Sequence, residues 1–341
     1  MDVSRKNKIA IVVLNWNCTD DSIACVDSLL SQTTVPDIIT VDNNSKRESP
    51  TPLVSLASKN PRCIFIQNDI NSGFTGGNNM GIGYALEHDY DYIGTLNPDA
   101  TADPKWVEKL SDELRHIDDT GVATGLLLQS DKSTIDSSGE QYSIWGIPGP
   151  RGRGSSKECA PKKSAYIFGS TSGGFIAKRE VVESIGLVDE KFFMYFEDVD
   201  LCLRAQLAGF KVRYTPDAIA YHKLSASTNK VPGLATKQTF KNLPLLFWKN
   251  VPRGLMPVIL PRFFISYTLI LGHAIAKGRG GPALDGFFRS LTLLPHALRE
   301  RKKIQSSRTV SDDYIDSIIL HDIPPEQTGL RKFRAIFTGR R

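Results

Sequence analysis

The chain has 341 residues, 40% of them hydrophobic and 23% charged, with a net charge of +5. These proportions are ordinary for a globular protein, and the length suits one large α/β domain with an appendage, or two domains. The five cysteines, Cys18, Cys25, Cys63, Cys159 and Cys202, are scattered, odd in number and without a C-x-x-C pair; this argues against a disulfide framework or structural zinc site and fits a reducing compartment. Met1 to Lys8 is polar and short, without an apolar core of signal-peptide length, so no export is expected.

Lys8–Leu14 (KIAIVVL) is a continuous apolar run, as in a strand buried on both faces of a parallel sheet. It ends in Asn15-Trp16-Asn17, and helical spacing follows from Asp21 to Leu30. Three further strands are predicted at Asp37–Val41, Cys63–Gln67 and Asp91–Leu96. They deliver Asp42-Asn43-Asn44-Ser45, Asn71 and Asn97-Pro98-Asp99 at or beyond their C-terminal ends. Strands alternating with helices imply a doubly wound sheet, in which ligands bind beyond the carboxyl ends of the strands.

Asn71–Asn79 (NSGFTGGNN) is glycine-rich and opens a helix. It could offer backbone amides to a phosphate, or simply pack a helix start tightly on the sheet. It is not a dinucleotide fingerprint, and no P-loop occurs. Asp99 could bind Mg2+ or Mn2+ together with a diphosphate; Asn-Pro-Asp is also good turn chemistry. The Gly, Pro and Arg density of Trp145–Gly154 predicts a mobile loop over about 141–163, whose two arginines could meet a phosphate or merely be solvated. Ala165–Ala177 has strand-like composition around Ser172-Gly173-Gly174, with Phe175 next.

Phe192, Phe193, Tyr195 and Phe196 run into Glu197, Asp198 and Asp200 at the start of a helical segment. An acid beside apolar surface has a raised pKa and suits a general base. Asp198 and Asp200 could equally complement the helix N-terminus, with Asp200 pairing Arg204 at i,i+4. Val212–Tyr214 and Ala218–Tyr221 are predicted as two strands, the second ending in His222; a lone histidine is more often core or surface than ligand.

From Lys249 to Lys303 there are ten Lys/Arg against Asp285 and Glu300, a local +8 that leaves −3 (5 minus 8) elsewhere. Pro244, Pro252, Pro257 and Pro261 forbid one long helix there. The 14 residues between Arg262 and Lys277 carry no acidic or basic side chain, short of the ~20 that span a bilayer. Phe263, Phe264, Tyr267 and Leu271 suggest a helix lying in an anionic membrane interface, or one packed on the main domain. A second helix is predicted over Leu284–Leu298, and Ser306–Arg341 reads as polar and peripheral.

VVLNWN, VDNNS, NSGFTGGNN, LNPDA, IDSSGE with RGRG, SGGFIAKRE, FFMYFEDVDLCLRA and YHKLSAST, in this order, resemble the inverting family 2 glycosyltransferases of GT-A fold, in particular bacterial rhamnosyltransferase-like members. The resemblance covers about residues 8–228. It implies a GT-A domain over 1–228, a Rossmann-like, mostly parallel mixed sheet flanked by helices, and a basic helical C-terminal region over 229–341. It assigns Asp42 to the nucleotide base or ribose, with Asn15 and Asn17 nearby. Asn71, Gly73, Gly76, Gly77 and Asn78 would line the nucleotide-sugar pocket. Asp99 stands where the family's metal-binding D-x-D ends, Asn97 replaces its first acid, and His222 is a third metal contact. Asp198 matches the base, with Glu197 beside it, and Ser172, Gly173, Gly174 and Phe175 lie on the acceptor side. The implied partners are a dTDP- or UDP-sugar donor, a glycan or lipid-linked acceptor and the cytoplasmic face of an inner membrane; no nucleic acid is expected. A non-catalytic sugar-nucleotide binder and a sugar nucleotidyltransferase are the alternatives, the latter lacking its Gly- and Arg-rich loop after the first strand.

Overall fold

The computed structural model describes residues 7–224 and 231–332. The end of the YHKLSAST stretch and the expected domain boundary at 228 lie outside the described residues.

The chain builds β1 (Ile9–Asn15), α1 (Thr19–Leu30), β2 (Asp37–Asp42), α2 (Thr51–Lys59), β3 (Cys63–Gln67), α3 (Gly73–Glu87) and β4 (Tyr92–Leu96) as a parallel unit ordered β4-β1-β2-β3. The continuous apolar character of β1 has a direct cause. Ile9, Ile11 and Val13 enter one core with Val26 and Leu29 of α1, while Ala10, Val12 and Leu14 enter another with Ile82 and Ala85 of α3. Both faces are covered, so both parities must be apolar.

The second half mixes directions. Short β5 (Ala100–Ala102) is followed by α4 (Trp106–His116), β6 (Thr120–Gln129) and β7 (Ile135–Ser137). A small separate hairpin, β8 (Glu140–Tyr142) with β9 (Pro148–Pro150), comes next. Then come β10 (Ala165–Ile167), β11 (Gly174–Lys178), α5 (Arg179–Ile185), α6 (Glu197–Leu207) and β12 (Lys211–His222). The main sheet reads β10-β12-β6-β11-β4-β1-β2-β3, with β5 on β12 and β7 on β6. It is mixed, since β11 runs antiparallel to both β4 and β6.

Several expectations are corrected. Ala165–Ala177 is not one strand: β10 lies at the sheet edge and β11 between β6 and β4. The two strands expected around 212–221 are one, β12, with a register shift between Thr215 and Ile219. The 141–163 stretch is folded rather than a mobile loop. Tyr142 and Ile147 are buried, Arg151 N donates to Gly139 O at 2.8 Å, and Ile144 N donates to Leu320 O at 2.8 Å. Its prolines and glycines shape a hairpin rather than leave the chain unstructured.

The C-terminal region is α7 (Leu234–Asn250), α8 (Met256–Ala276), α9 (Gly280–Ser306) and α10 (Asp312–Ile318). The helix run breaks at Val251–Leu255, while Pro244, Pro261 and Pro295 lie inside helices. Phe240, Phe247, Phe263 and Tyr267 share one core with Tyr142 of the hairpin and Val199 and Leu203 of α6. Phe263 and Tyr267 therefore face inward, not toward a membrane interface; Phe264, Phe288 and Leu291 are among the exposed apolar side chains. The helical segment Arg253–Ala276 is long and apolar enough to cross a membrane by length and composition, which the charge-free window alone did not suggest. The segment after Ser306 is not merely peripheral, because Ile315, Ile319 and Ile323 are buried in the same core.

Candidate active site

A cavity of about 1230 Å3 opens beyond the carboxyl ends of β1 and β4. Sheet register explains how distant residues reach it. Pairing of β5 with β12 sets Ala100 opposite His222, which brings Asp99 and His222 together: His222 Nε2 lies 3.0 Å from Asp99 Oδ1. Pairing of β11 with β4 sets Gly174 opposite Leu96, so the preceding Ser172-Gly173 turn reaches the same rim. The α6 N-terminus closes on that turn, and Ser172 N donates to Asp198 Oδ2 at 3.1 Å while Val199 N donates to Asp198 Oδ1 at 2.8 Å. Asp99, His222, Glu197, Asp198 and Asn97 all line this one cavity.

His222 is held from both sides. Its Nδ1 lies 2.8 Å from Asp136 Oδ2, on β7. Burial by itself would lower the imidazole pKa, but the hydrogen bonds and charges of Asp136 and Asp99 outweigh it and raise the value to about 9. Asn97 Nδ2 lies 3.3 Å from the same Nε2, and Asn97 Oδ1 is buried without a hydrogen-bond partner. Among the described residues no cluster of three or more His, Cys, Asp or Glu is arranged to hold a metal. Once His222 gives up a proton, the donor set is one carboxylate, one imidazole nitrogen and one amide oxygen. With diphosphate oxygens completing the shell, that set fits a hard divalent cation, and the Asp136–His222 contact is the usual outer support of a metal-binding imidazole.

The acids at the other wall are desolvated. Burial, then the neighbouring Asp198 charge, pushes Glu197 up to about 8. Burial also raises Asp198, opposed by the two backbone donors. Two close carboxylates resist ionising together, so the pair as a unit holds a proton above the usual carboxylate range. Folded Glu197 binds its proton more tightly than the unfolded chain does. Its share of stability is therefore undiminished below pH 4.5 and falls as pH rises toward about 8. Glu197→Gln should flatten that part of the stability-versus-pH curve, measured by urea unfolding between pH 5 and 8.5; an unchanged slope would show that Glu197 ionises normally.

Other expected residues sit elsewhere. Asn17, Asn71 and Gly73 line the cavity, but Asn15 and Asp42 do not. Asp42 is 1% exposed, and its carboxylate accepts from Asn15 Nδ2, the Ser45 hydroxyl and Gln67 Nε2. These bonds fix it beneath the rim, beside Asn43 of the cavity wall. Gly76, Gly77 and Asn78 are inside α3 and off the cavity wall, as are Gly174 and Phe175 in β11. A Cβ on Gly77 would come within 2.3 Å of Leu14, so this glycine serves close helix–sheet packing.

Asn43 and Glu140, given no role from sequence, also belong here, as does one of the two arginines expected to meet a phosphate. Asn43 lines the cavity and donates to Asn71 Oδ1 and Gly73 O, fixing the entry to α3. Glu140, buried in the wall, is raised well above the usual carboxylate range by desolvation and then by Asp198. Arg153 lines the cavity and pairs with Asp136 at 2.9 Å, whereas Arg151 turns away to Ser138 O. IDSSGE and RGRG contained these residues; only the hairpin fold shows which of them face the cleft.

The mixed, mostly parallel sheet with its cleft beyond the strand ends is an α/β fold of GT-A type. Residues 10–186 match the model of glycosyl transferase family 2, about half of the chain, and the chain belongs to that family. It is 24% identical over 203 residues to a dTDP-rhamnosyl transferase of Shigella flexneri, covering 58% of this chain and 63% of that one. It is 31% identical over 167 residues to a rhamnosyltransferase of Escherichia coli, covering 44% and 60%. A low-salt glycan biosynthesis hexosyltransferase of Haloferax volcanii is 24% identical over 200 residues, covering 58% and 61%. The matched segment thus spans under two thirds of each of these relatives. The crystal structure of GalNAc-T7 with UDP, GalNAc and Mn2+ superposes with a TM-score of 0.56 at 14% identity, covering 71% of this chain and 48% of that one; the likeness is one of fold.

Proposed function

We propose that the protein transfers a sugar, with inversion, from a nucleoside diphosphate donor to a hydroxyl of a glycan or lipid-linked acceptor, and that the donor is dTDP-rhamnose. What carries the reading is the one cavity that Asp198, Asp99 and His222 all line, with Asp99 and His222 in contact. Rhamnose is favoured by the likeness to the rhamnosyl transferases of Shigella flexneri and Escherichia coli. Ionised Asp198 accepts the proton of the acceptor hydroxyl as its oxygen bonds to the anomeric carbon. The bond from that carbon to the diphosphate breaks on the opposite face, and the nucleoside diphosphate leaves as an anion. Protonated Glu197 keeps a second negative charge away from the base. Asp99, His222 and Asn97 would hold Mg2+ or Mn2+, which when bound neutralises charge on the leaving diphosphate as a Lewis acid.

The test is release of nucleoside diphosphate from dTDP-rhamnose and a panel of UDP-sugars, with titrated Mn2+. The expected result is metal-dependent release, greatest for dTDP-rhamnose. Asp136→Asn should weaken the apparent Mn2+ affinity about 10- to 100-fold, because the His222 imidazole loses its orienting carboxylate. Binding of donors without turnover of any would leave a binding protein instead.

The C-terminal helices support association with an anionic membrane surface. Phe264, Phe288 and Leu291 are 70%, 59% and 52% exposed, on helices whose flanks carry Arg262, Lys277, Arg279 and Arg289. The full chain should sediment with vesicles containing phosphatidylglycerol at low ionic strength and release as salt screens the charge. Failure to bind them at low salt would make the helix pair purely structural.

A further inference from the structure

The turn that presents the two site carboxylates is built in backbone conformations that side-chain-bearing residues disfavour. Phe193, Tyr195 and Phe196 have φ of 62°, 68° and 68°, and none is glycine. Such residues persist only where their surroundings over-determine them. Thr75 N of α3 donates to Phe193 O at 3.2 Å, and the side-chain restraint comes from α7. Asn242 is fully buried, and its Nδ2 donates to Phe192 O at 3.0 Å, Met194 O at 2.7 Å and Tyr195 O at 2.8 Å. The neighbouring Lys241 Nζ donates to Lys191 O at 2.8 Å and Phe192 O at 3.1 Å. One amide group thus gathers three carbonyls of a turn whose next residues are Glu197 and Asp198.

We infer that Asn242, outside the segment matched to the family, is a positioning residue for the transfer reaction. By clamping the 192–196 turn in its left-handed conformation, it sets the α6 N-terminus at the height where Asp198 meets Ser172 N. Without the clamp the turn relaxes toward negative φ, and the carboxylate swings off the acceptor position. The loss falls mainly on turnover rather than on donor binding.

This inference rests on the glycosyltransferase reading, and the experiment separates the two. In Asn242→Ala, release of dTDP from dTDP-rhamnose should show kcat lowered about 10- to 100-fold, the scale of a misplaced reacting group, with KM for the donor within twofold. Glycine adopts positive φ freely, so the same substitution in a Phe196→Gly background should cost several-fold less. Thermal unfolding of all four proteins shows whether they are folded. If Asn242→Ala does not fold, Asn242→Ser, which retains one donor, takes its place in the cycle. Hydrogen exchange needs no substrate: the Ser172 and Val199 amides, which donate to Asp198, should exchange faster in the variant. Wild-type protein inactive on every donor would remove the functional reading alone. Unchanged kcat, equal losses in both backgrounds, or unchanged exchange at Ser172 and Val199 would overturn the role of Asn242.

Discussion

Asp198→Asn should lower kcat for sugar transfer about 10^2- to 10^4-fold, the usual contribution of a positioned general base, with little change in KM for the donor. The amide has nearly the shape of the carboxylate but cannot take the acceptor proton. One complication is local. Both carboxylate oxygens accept a backbone N–H, from Ser172 and Val199, and an asparagine must turn its NH2 toward one of them. A thermal melt within a few degrees of wild type is therefore part of the measurement. Near-normal turnover by such a folded variant would remove Asp198 from the chemistry and leave it as a helix N-terminal acceptor. Glu197→Gln should cost far less, because it mimics the protonated state that the native site already holds.

The second large effect is on stability. Asp200 is fully buried and accepts from Arg204 Nε at 2.9 Å, Lys249 Nζ at 3.0 Å and Asn250 Nδ2 at 2.8 Å. Lys249 also bonds Asp189 at 2.7 Å, which in turn meets His296 at 2.8 Å. Burial would raise Asp189, but the Lys249 charge and these hydrogen bonds hold its carboxyl well below the usual range. Asp200→Ala should destabilise the protein by about 3–5 kcal/mol, because the Arg204 guanidinium and Lys249 ammonium lose a buried partner. Guanidinium unfolding at pH 7 measures it; a loss under about 1 kcal/mol, the value of an exposed pair, would mean that water enters the network. Helix α7 thus braces the acid-bearing helix at two places, Asn242 before its first turn and Lys249 with Asn250 beneath it.

These contacts show where the sequence was legible. The i,i+4 pairing of Asp200 with Arg204 was readable from spacing, and it is present. It was one part of a larger arrangement whose other members lie 49 and 50 residues away. Likewise, the parallel half of the sheet followed from local apolar runs, since strands covered on both faces must be apolar throughout. The mixed half did not. Whether 165–177 is one strand or two depends on which partners its ends find, and β10 and β11 find theirs far apart in the sheet.

Residue type and order alone determined the family, the α/β class and the two ends of the cleft, because Asn-Pro-Asp after a buried strand and acids behind aromatics are local patterns. Tertiary structure alone decided that Asp42 faces inward, that Gly77 serves packing, that a hairpin precedes the Arg- and Gly-rich turns at 151–154, and that the C-terminal helices share the core of the acid-bearing helix. The reason is physical. Local patterns report which conformations and environments a segment prefers, whereas the face a side chain presents is set by partners that strand register and helix packing bring from elsewhere in the chain.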